Sequence, residues 1–78
     1  MGHSVKELII EQVKKTFEVG KRYTCKYIKE VLQLIYKSYS YGKTAKATDL
    51  DEYLVLRPCK AQDQDGKWQK GYEVISVK

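Results

Sequence analysis

The stretch VLRPCKAQDQDGKWQKGYEVISV, residues 55–77, carries the strongest structural signal in the chain. Asp65-Gly66 lies between two segments rich in strand-forming residues. An Asp-Gly pair in that setting is typical of a tight β-hairpin turn, because glycine accepts positive φ without strain. We therefore predict two antiparallel strands, Val55–Ala61 and Lys67–Val77, joined by a turn at this pair.

Three residues of the hairpin have a particular predicted role. Pro58 cannot donate to a strand ladder, so the first strand is predicted to lie at a sheet edge. Gly71 is predicted to mark a β-bulge in the second strand. Trp68, next to the turn, has two interpretations: it packs across the hairpin onto Cys59 or Ala61, or it contacts a ligand directly.

Two segments before the hairpin have apolar residues at the 3.6-residue period of a helix. Ser4 is suited to cap the first helix, predicted over Val5–Phe17, and Glu7 completes a capping-box pattern. Thr24 is suited to cap the second, predicted over Cys25–Tyr39. The two apolar stripes consist of Val5, Leu8, Ile9, Val13 and Phe17, and of Ile28, Val31, Leu32, Ile35 and Tyr39.

A third, shorter helix is predicted between the second helix and the hairpin. It begins after Thr44 or, one turn later, after Thr48, since either residue can cap it, and it ends at Tyr53 or Leu54. Residues 19–24, which join the first two helices, are predicted to form a partly extended connector. The apolar seam of the third helix consists of Ala47, Leu50 and Leu54.

The composition is that of one small globular domain rather than a disordered chain. The 78 residues are 42% hydrophobic and 32% charged, and so small a domain has little room for both a core and an enclosed active site. No apolar run approaches the roughly 18 residues of a membrane span, so we expect no membrane association and a cytoplasmic location. Residues 1–4 have the character of a cloning remnant or disordered start, which leaves 5–78 as the domain.

Catalytic and metal-binding chemistry finds little support in the sequence. Two cysteines and one histidine cannot supply a conventional four-ligand zinc site built from Cys and His. His3 lies in the terminal segment, and Asp63 and Asp65 lie in the hairpin turn, where aspartate binds backbone. No glycine-rich phosphate loop follows a strand. We therefore predict a non-catalytic protein without metal or cofactor, in which Cys25 and Cys59 stay reduced.

The positive charge of the chain is unevenly distributed. The net charge is +5, but residues 1–48 contain ten Lys or Arg and four Asp or Glu, whereas residues 49–78 contain five and six. All of the excess therefore lies in the first part. Such an asymmetry favours a polyanionic or acidic partner, and the alternative is a surface charged for solubility alone.

Three helices followed by a hairpin is the element order of a winged helix, an α+β fold with a helix-turn-helix and a β-hairpin wing. The turn Ser40–Lys43 supplies the short link that a helix-turn-helix needs. Distinctive motifs stand in order at Gly20–Thr24, Ile28-Lys29, Leu32-Gln33, Ile35-Tyr36, Lys43–Leu50, Gly66–Trp68 and Gly71-Tyr72. Together they resemble a small winged-helix module of phage and mobile-element replication proteins, typically the C-terminal appendage of a primase–helicase type protein. The resemblance covers residues 16–76 and implies an accessory domain linked to nucleic acid.

Nucleic-acid binding is the function that these observations favour. In a winged helix the third helix lies in the major groove and the wing reaches a neighbouring backbone. Asp49, Asp51 and Glu52 repel phosphates along the third helix, so backbone contacts rather than base readout are expected, with DNA favoured over RNA. The sequence leaves open whether the nucleic acid is single-stranded or double-stranded. The predicted contact residues are Lys21, Arg22, Lys26, Lys29, Lys43, Thr44, Lys46, Thr48, Lys67, Trp68 and Lys70.

Protein docking is the alternative function. The chain has seven tyrosines, a residue enriched at interfaces. Tyr36 and Tyr41 are predicted to be exposed contact residues, together with Asp49 and Glu52. The partner would be a replication protein or a second copy, although the isolated domain is predicted to be a monomer. The tyrosines predicted to border the core are Tyr39, Tyr53 and Tyr72.

Overall fold

The chain combines helices and a small antiparallel sheet in an α+β arrangement. The computed structural model describes residues 4–78, in which two α-helices and one short 3-10 helix accompany a three-stranded antiparallel sheet. Met1, Gly2 and His3, on which most of the predicted terminal remnant falls, lie outside the described residues. None of the described helices has the length and apolar content needed to cross a bilayer. The elements in order are α1 (Val5–Thr16), β1 (Arg22–Thr24), α2 (Cys25–Ser38), the 3-10 helix (Ala47–Glu52), β2 (Leu54–Gln62) and β3 (Trp68–Val77).

Both α-helices begin at the residues that the sequence predicts. The Ser4 hydroxyl accepts a hydrogen bond from the backbone N–H of Glu7 at 3.2 Å. The Thr24 hydroxyl accepts one from the N–H of Tyr27 at 3.1 Å. Each bond satisfies a donor that the first turn of a helix leaves without an internal partner. The predicted helix bounds are confirmed to within one residue, and the partly extended connector proves to contain β1.

The predicted third helix is present, but it is a short 3-10 helix, and its predicted caps are wrong. Ala47–Glu52 forms a six-residue 3-10 helix, and neither Thr44 nor Thr48 caps it. Residues 43–45 cannot join a helix because Gln33 of α2 holds them: its side-chain oxygen accepts the N–H of Ala45 at 2.9 Å, and its side-chain nitrogen donates to the carbonyl of Lys43 at 3.4 Å. The chain becomes helical only after this attachment.

The core lies between the two α-helices, the 3-10 helix and one face of the sheet. Tyr53 is buried, and Tyr39 and Tyr72 pack half-buried against the core, which confirms the border position predicted for these three tyrosines. The other buried members of the cluster are Ile9, Val13, Phe17, Ile28, Leu32, Ile35, Tyr36, Ala45, Leu50, Leu54 and Val74.

The sheet has the order β1-β3-β2, so β3 is central and β2 is an edge strand, as Pro58 predicts. The predicted bulge at Gly71 is wrong. The register shifts at Val55/Leu56, which pair with Ser76 and Val74, so Ile75 is the extra residue. Gly71 instead passes directly against the carbonyl of Tyr23 on β1, where any Cβ atom would overlap that oxygen. Glycine is needed there for close approach of two strands.

Replacing Gly71 tests this close approach. Gly71→Ala is expected to push β1 away from β3 and to lower the free energy of unfolding by about 1–3 kcal/mol, as over-packing does elsewhere. Gly42→Ala is the matched control, because a Cβ at Gly42 meets no atom within 4 Å, and its effect should stay within about 0.5 kcal/mol. Urea unfolding measures both variants, and equal effects would contradict the assignment.

Candidate nucleic-acid interface

One carboxylate organises the hairpin turn. Oδ1 of Asp63 accepts the backbone N–H groups of Lys67 and Asp65, each at 2.9 Å, and Oδ2 accepts the side-chain amide of Gln69 at 3.2 Å. The bond from the Lys67 N–H is the main reason why the pKa of Asp63 lies below its ordinary value. Gly66 completes the turn at φ 78°, the left-handed region that glycine tolerates. The turn therefore sets where Lys67 and Trp68 emerge.

Trp68 is free to meet a ligand. Its side chain is 61% exposed, and it lies opposite Gln62. Ala61 pairs with Gln69, and Cys59 with Gly71, so both project from the other face of the hairpin, since neighbouring strand residues alternate. The interpretation in which Trp68 packs onto Cys59 or Ala61 is therefore wrong.

Three of the predicted phosphate contacts already have acidic partners. Lys21 pairs with Glu18, and the hydrogen bond between them raises the pKa of Lys21. Nε of Arg22 lies 3.6 Å from a carboxylate oxygen of Glu73. Exposed pairs of this kind add little stability, but they cancel charge that a phosphate would otherwise meet.

Lys43 is the third of these residues. Its Nζ lies 3.5 Å from Oδ1 of Asp49 and 3.7 Å from Oε1 of Glu52. Desolvation opposes the charge of Lys43, but the two carboxylates outweigh it and raise the pKa of the ammonium. Lys43 therefore remains charged and is directed toward its own 3-10 helix.

Five predicted cations make no ion pair within the described part of the chain, and all five are exposed. Lys26 and Lys29 lie three residues apart on α2, on the same helix face as Gln33. Gln33 attaches residues 43–45 to that face, which brings the exposed Thr44 and Lys46 to the same side of α2. Thr48 is also exposed. The five cations are Lys26, Lys29, Lys46, Lys67 and Lys70.

A groove of about 600 Å³ runs between the hairpin and the first turn of α2. The stacked rings of Tyr23 and Tyr27, with centroids 5.6 Å apart, line one side of it. Lys26 at its edge contributes to lowering the pKa of Asp63. Its charged lining consists of three cations, Arg22, Lys26 and Lys70, and three carboxylates, Glu30, Asp63 and Asp65. The groove lining is therefore balanced in charge, although Lys26 and Lys70 within it make no ion pair with any described residue; the other three unpaired lysines, Lys29, Lys46 and Lys67, lie outside the lining.

Lys60 is a further cation of the hairpin, absent from the contact residues predicted from the sequence. It is exposed on β2 directly opposite Lys70. The signal was present in the hairpin, since pairing Asp63 with Lys67 and counting outward brings position 60 opposite position 70. The sequence predicts the turn but not which two residues pair across it, so the alignment of the two strands could not be predicted.

Two of the four residues predicted to dock a partner protein are buried. Tyr36 is completely buried and Asp49 is only 8% exposed. The Tyr36 hydroxyl donates to Oδ2 of Asp49 at 3.3 Å and lies 3.2 Å from the Tyr53 hydroxyl, and burial is the main reason why its pKa is raised. Tyr41 packs half-buried on the Tyr36 ring, and Glu52 pairs with Lys43. Tyr36 and Asp49 were wrongly predicted as contacts, because a hydroxyl and a carboxylate can pair in the core.

Neither the candidate metal ligands nor the comparisons with known proteins give a further indication of function. Cys25 and Cys59 are half-buried free thiols. In the described range, 4–78, no group of three or more His, Cys, Asp or Glu is arranged to hold a metal ion. No protein-family model, curated protein or solved structure matches this chain. Function is therefore inferred from the charge, exposure and geometry of the chain's own residues.

The Asp63 turn leads to a prediction about pH. The pKa of Asp63 is lower in the folded state than the ordinary 3.8, so its contribution to stability is complete above 3.8 and is lost as pH falls through the folded pKa. Asp63→Ala should lower Tm at neutral pH, and the difference from the parent should shrink as pH falls toward roughly 2.

Asp63→Asn is the control for charge. It keeps an acceptor for the Lys67 N–H but has no carboxylate to protonate, so its Tm difference from Asp63→Ala should not change across the same pH range. Thermal unfolding followed by circular dichroism measures all three proteins. A constant difference between the parent and Asp63→Ala down to the lowest pH would contradict the role given to the carboxylate.

Proposed function

We propose that this chain is a non-catalytic domain that binds the phosphate backbone of nucleic acid through its hairpin and the outer face of α2. The observation that carries the proposal is the end of the hairpin, where Lys67 and Lys70 lie on either side of the exposed Trp68 along the chain and no carboxylate of residues 4–78 forms an ion pair with either lysine. Cations beside an aromatic ring suit a polymer that offers phosphates and bases together.

Electrostatics supports this assignment. A lysine that neutralises a phosphate releases bound counterions, and each such contact makes the logarithm of the affinity fall by about 0.9 per tenfold rise in salt. Lysines already paired with carboxylates, such as Lys21 and Lys43, gain less from a phosphate. The unpaired lysines of the hairpin and α2 therefore supply most of the expected binding.

Sequence-specific readout by a recognition helix is not part of the proposal. The 3-10 helix has six residues, which at about 2 Å per residue reach only about 12 Å. Asp51 and Glu52 lie exposed on it, and Asp49 is buried. The 3-10 helix therefore offers phosphates no positive surface, and the contacts we propose are to the backbone.

We further propose that the fold is a reduced winged helix in which the hairpin is the wing and the 3-10 helix replaces the third helix. The β-strand order and the two capped α-helices support this relation. Together with the resemblance of the sequence motifs, it favours an attachment domain of a phage or mobile-element replication protein, acting on DNA. The docking alternative is not favoured, because Tyr36 and Asp49 are in the core.

Salt-dependent binding tests the function. A labelled random duplex of about 20 base pairs and its single strand are titrated by fluorescence anisotropy at roughly 50 to 200 mM salt. Tight binding at low salt and a steep loss at high salt are expected. The double variant Lys67→Ala/Lys70→Ala should make the log–log slope shallower by about two.

The matched control removes the same charge elsewhere. Lys14→Ala/Lys15→Ala changes two exposed lysines of α1, outside the proposed interface, and should leave the slope unchanged. No binding of either nucleic acid at roughly 50 mM salt would exclude the proposed function. Equal losses in the two double variants would show that only net charge matters.

A further inference from the structure

The two strands of the hairpin place a pair of like charges face to face. The backbone N–H of Asp63 donates to the carbonyl of Lys67 at 2.9 Å, so these residues form a hydrogen-bonded pair. Because such pairs alternate with non-hydrogen-bonded ones along antiparallel strands, Lys60 and Lys70 belong to the second kind, in which side chains lie closer together. The ammonium side chains of Lys60 and Lys70 therefore start from neighbouring points on one face of the hairpin.

This arrangement is unfavourable in the isolated protein. Like charges directly opposite each other destabilise a sheet, and within the described chain no carboxylate forms an ion pair with Lys60 or Lys70. Farther along the same two strands, Arg57 lies opposite Glu73 and pairs with it. The strands therefore place opposite charges across from each other near the core and like charges across from each other near the turn. An anion between the two lysines would replace their repulsion with two attractions.

Trp68 lies beside this lysine pair on the same face. It is two residues from Lys70 along β3, which at the strand rise is about 7 Å. Across the hairpin it lies opposite Gln62. The exposed indole makes no ring contact with any aromatic side chain of the described residues. If the two lysines hold an anion, a chemical group bonded to that anion would lie within reach of the Trp68 indole.

We infer that Lys60 and Lys70 hold one phosphate of a single-stranded nucleic acid while Trp68 stacks on an adjacent base. This inference rests on the proposed function and names the form of nucleic acid bound. Base faces are accessible in a single strand but covered in a duplex, so only the single strand lets Trp68 contribute.

The test uses Trp68 as its own reporter, since it is the only tryptophan in the chain. An oligothymidylate of about 12 nucleotides, within the usual site size for single strands, is compared with a mixed-sequence duplex of the same length. Single-strand binding should quench the tryptophan emission and be tighter than duplex binding. Trp68→Leu should weaken single-strand binding roughly 5- to 150-fold with little effect on the duplex.

The lysine pair is tested with variants matched in charge. Lys60→Ala and Lys70→Ala should each weaken single-strand binding roughly 3- to 10-fold, whereas Lys14→Ala, on the exposed side of α1, should change it less than twofold. Circular dichroism checks that each variant is folded.

The outcomes separate the two proposals. If duplex and single strand bind equally and the emission is unchanged, or if Lys60→Ala behaves like Lys14→Ala, the inference is overturned while the proposed function stands. If neither nucleic acid binds at roughly 50 mM salt, the proposed function fails and the inference fails with it.

Discussion

The two hydrogen bonds of the Gln33 side chain to residues 43–45 decide what kind of surface this chain can offer. By holding that segment against α2, they delay helix formation until Ala47. The buried Asp49 carboxylate then accepts the N–H of Lys46 at 3.0 Å and the Tyr36 hydroxyl, and closes the short 3-10 helix on the core. A long exposed helix cannot form there, so the hairpin becomes the principal projecting element.

The turn of the hairpin is built from local interactions. Asp63 gathers three donors around its carboxylate, and Gly66 supplies the left-handed residue of the turn. The resulting register brings Lys60 opposite Lys70 and directs Trp68 to the same face. The molecule extends 44 Å along its longest axis against 22 and 16 Å across. An elongated shape of this kind gives a projecting hairpin access to a polymer.

Local chemistry accounts for what the sequence predicts correctly. Ser4 and Thr24 cap helices through bonds within three residues, and the Asp-Gly pair forms its turn with near neighbours. The errors come from long-range contacts: Gln33 prevents the third α-helix, and Tyr36 is buried against residues 13 and 17 positions away. The requirement for glycine at position 71 also comes from a long-range contact, the close approach of Tyr23. The position of Lys60 opposite Lys70 depends on a strand register that the turn residues alone did not define.

The central claim is that nucleic acid contacts the face of the hairpin on which Lys60, Trp68 and Lys70 lie. The most direct measurement is an amide and side-chain NMR titration of the folded domain with a short single-stranded oligonucleotide. Shift changes are expected to concentrate at residues 60–70, with the Trp68 indole N–H among the largest, and to extend weakly to Lys26 and Lys29. Changes confined to α1, or centred on the 3-10 helix with the indole signal unmoved, would contradict this claim.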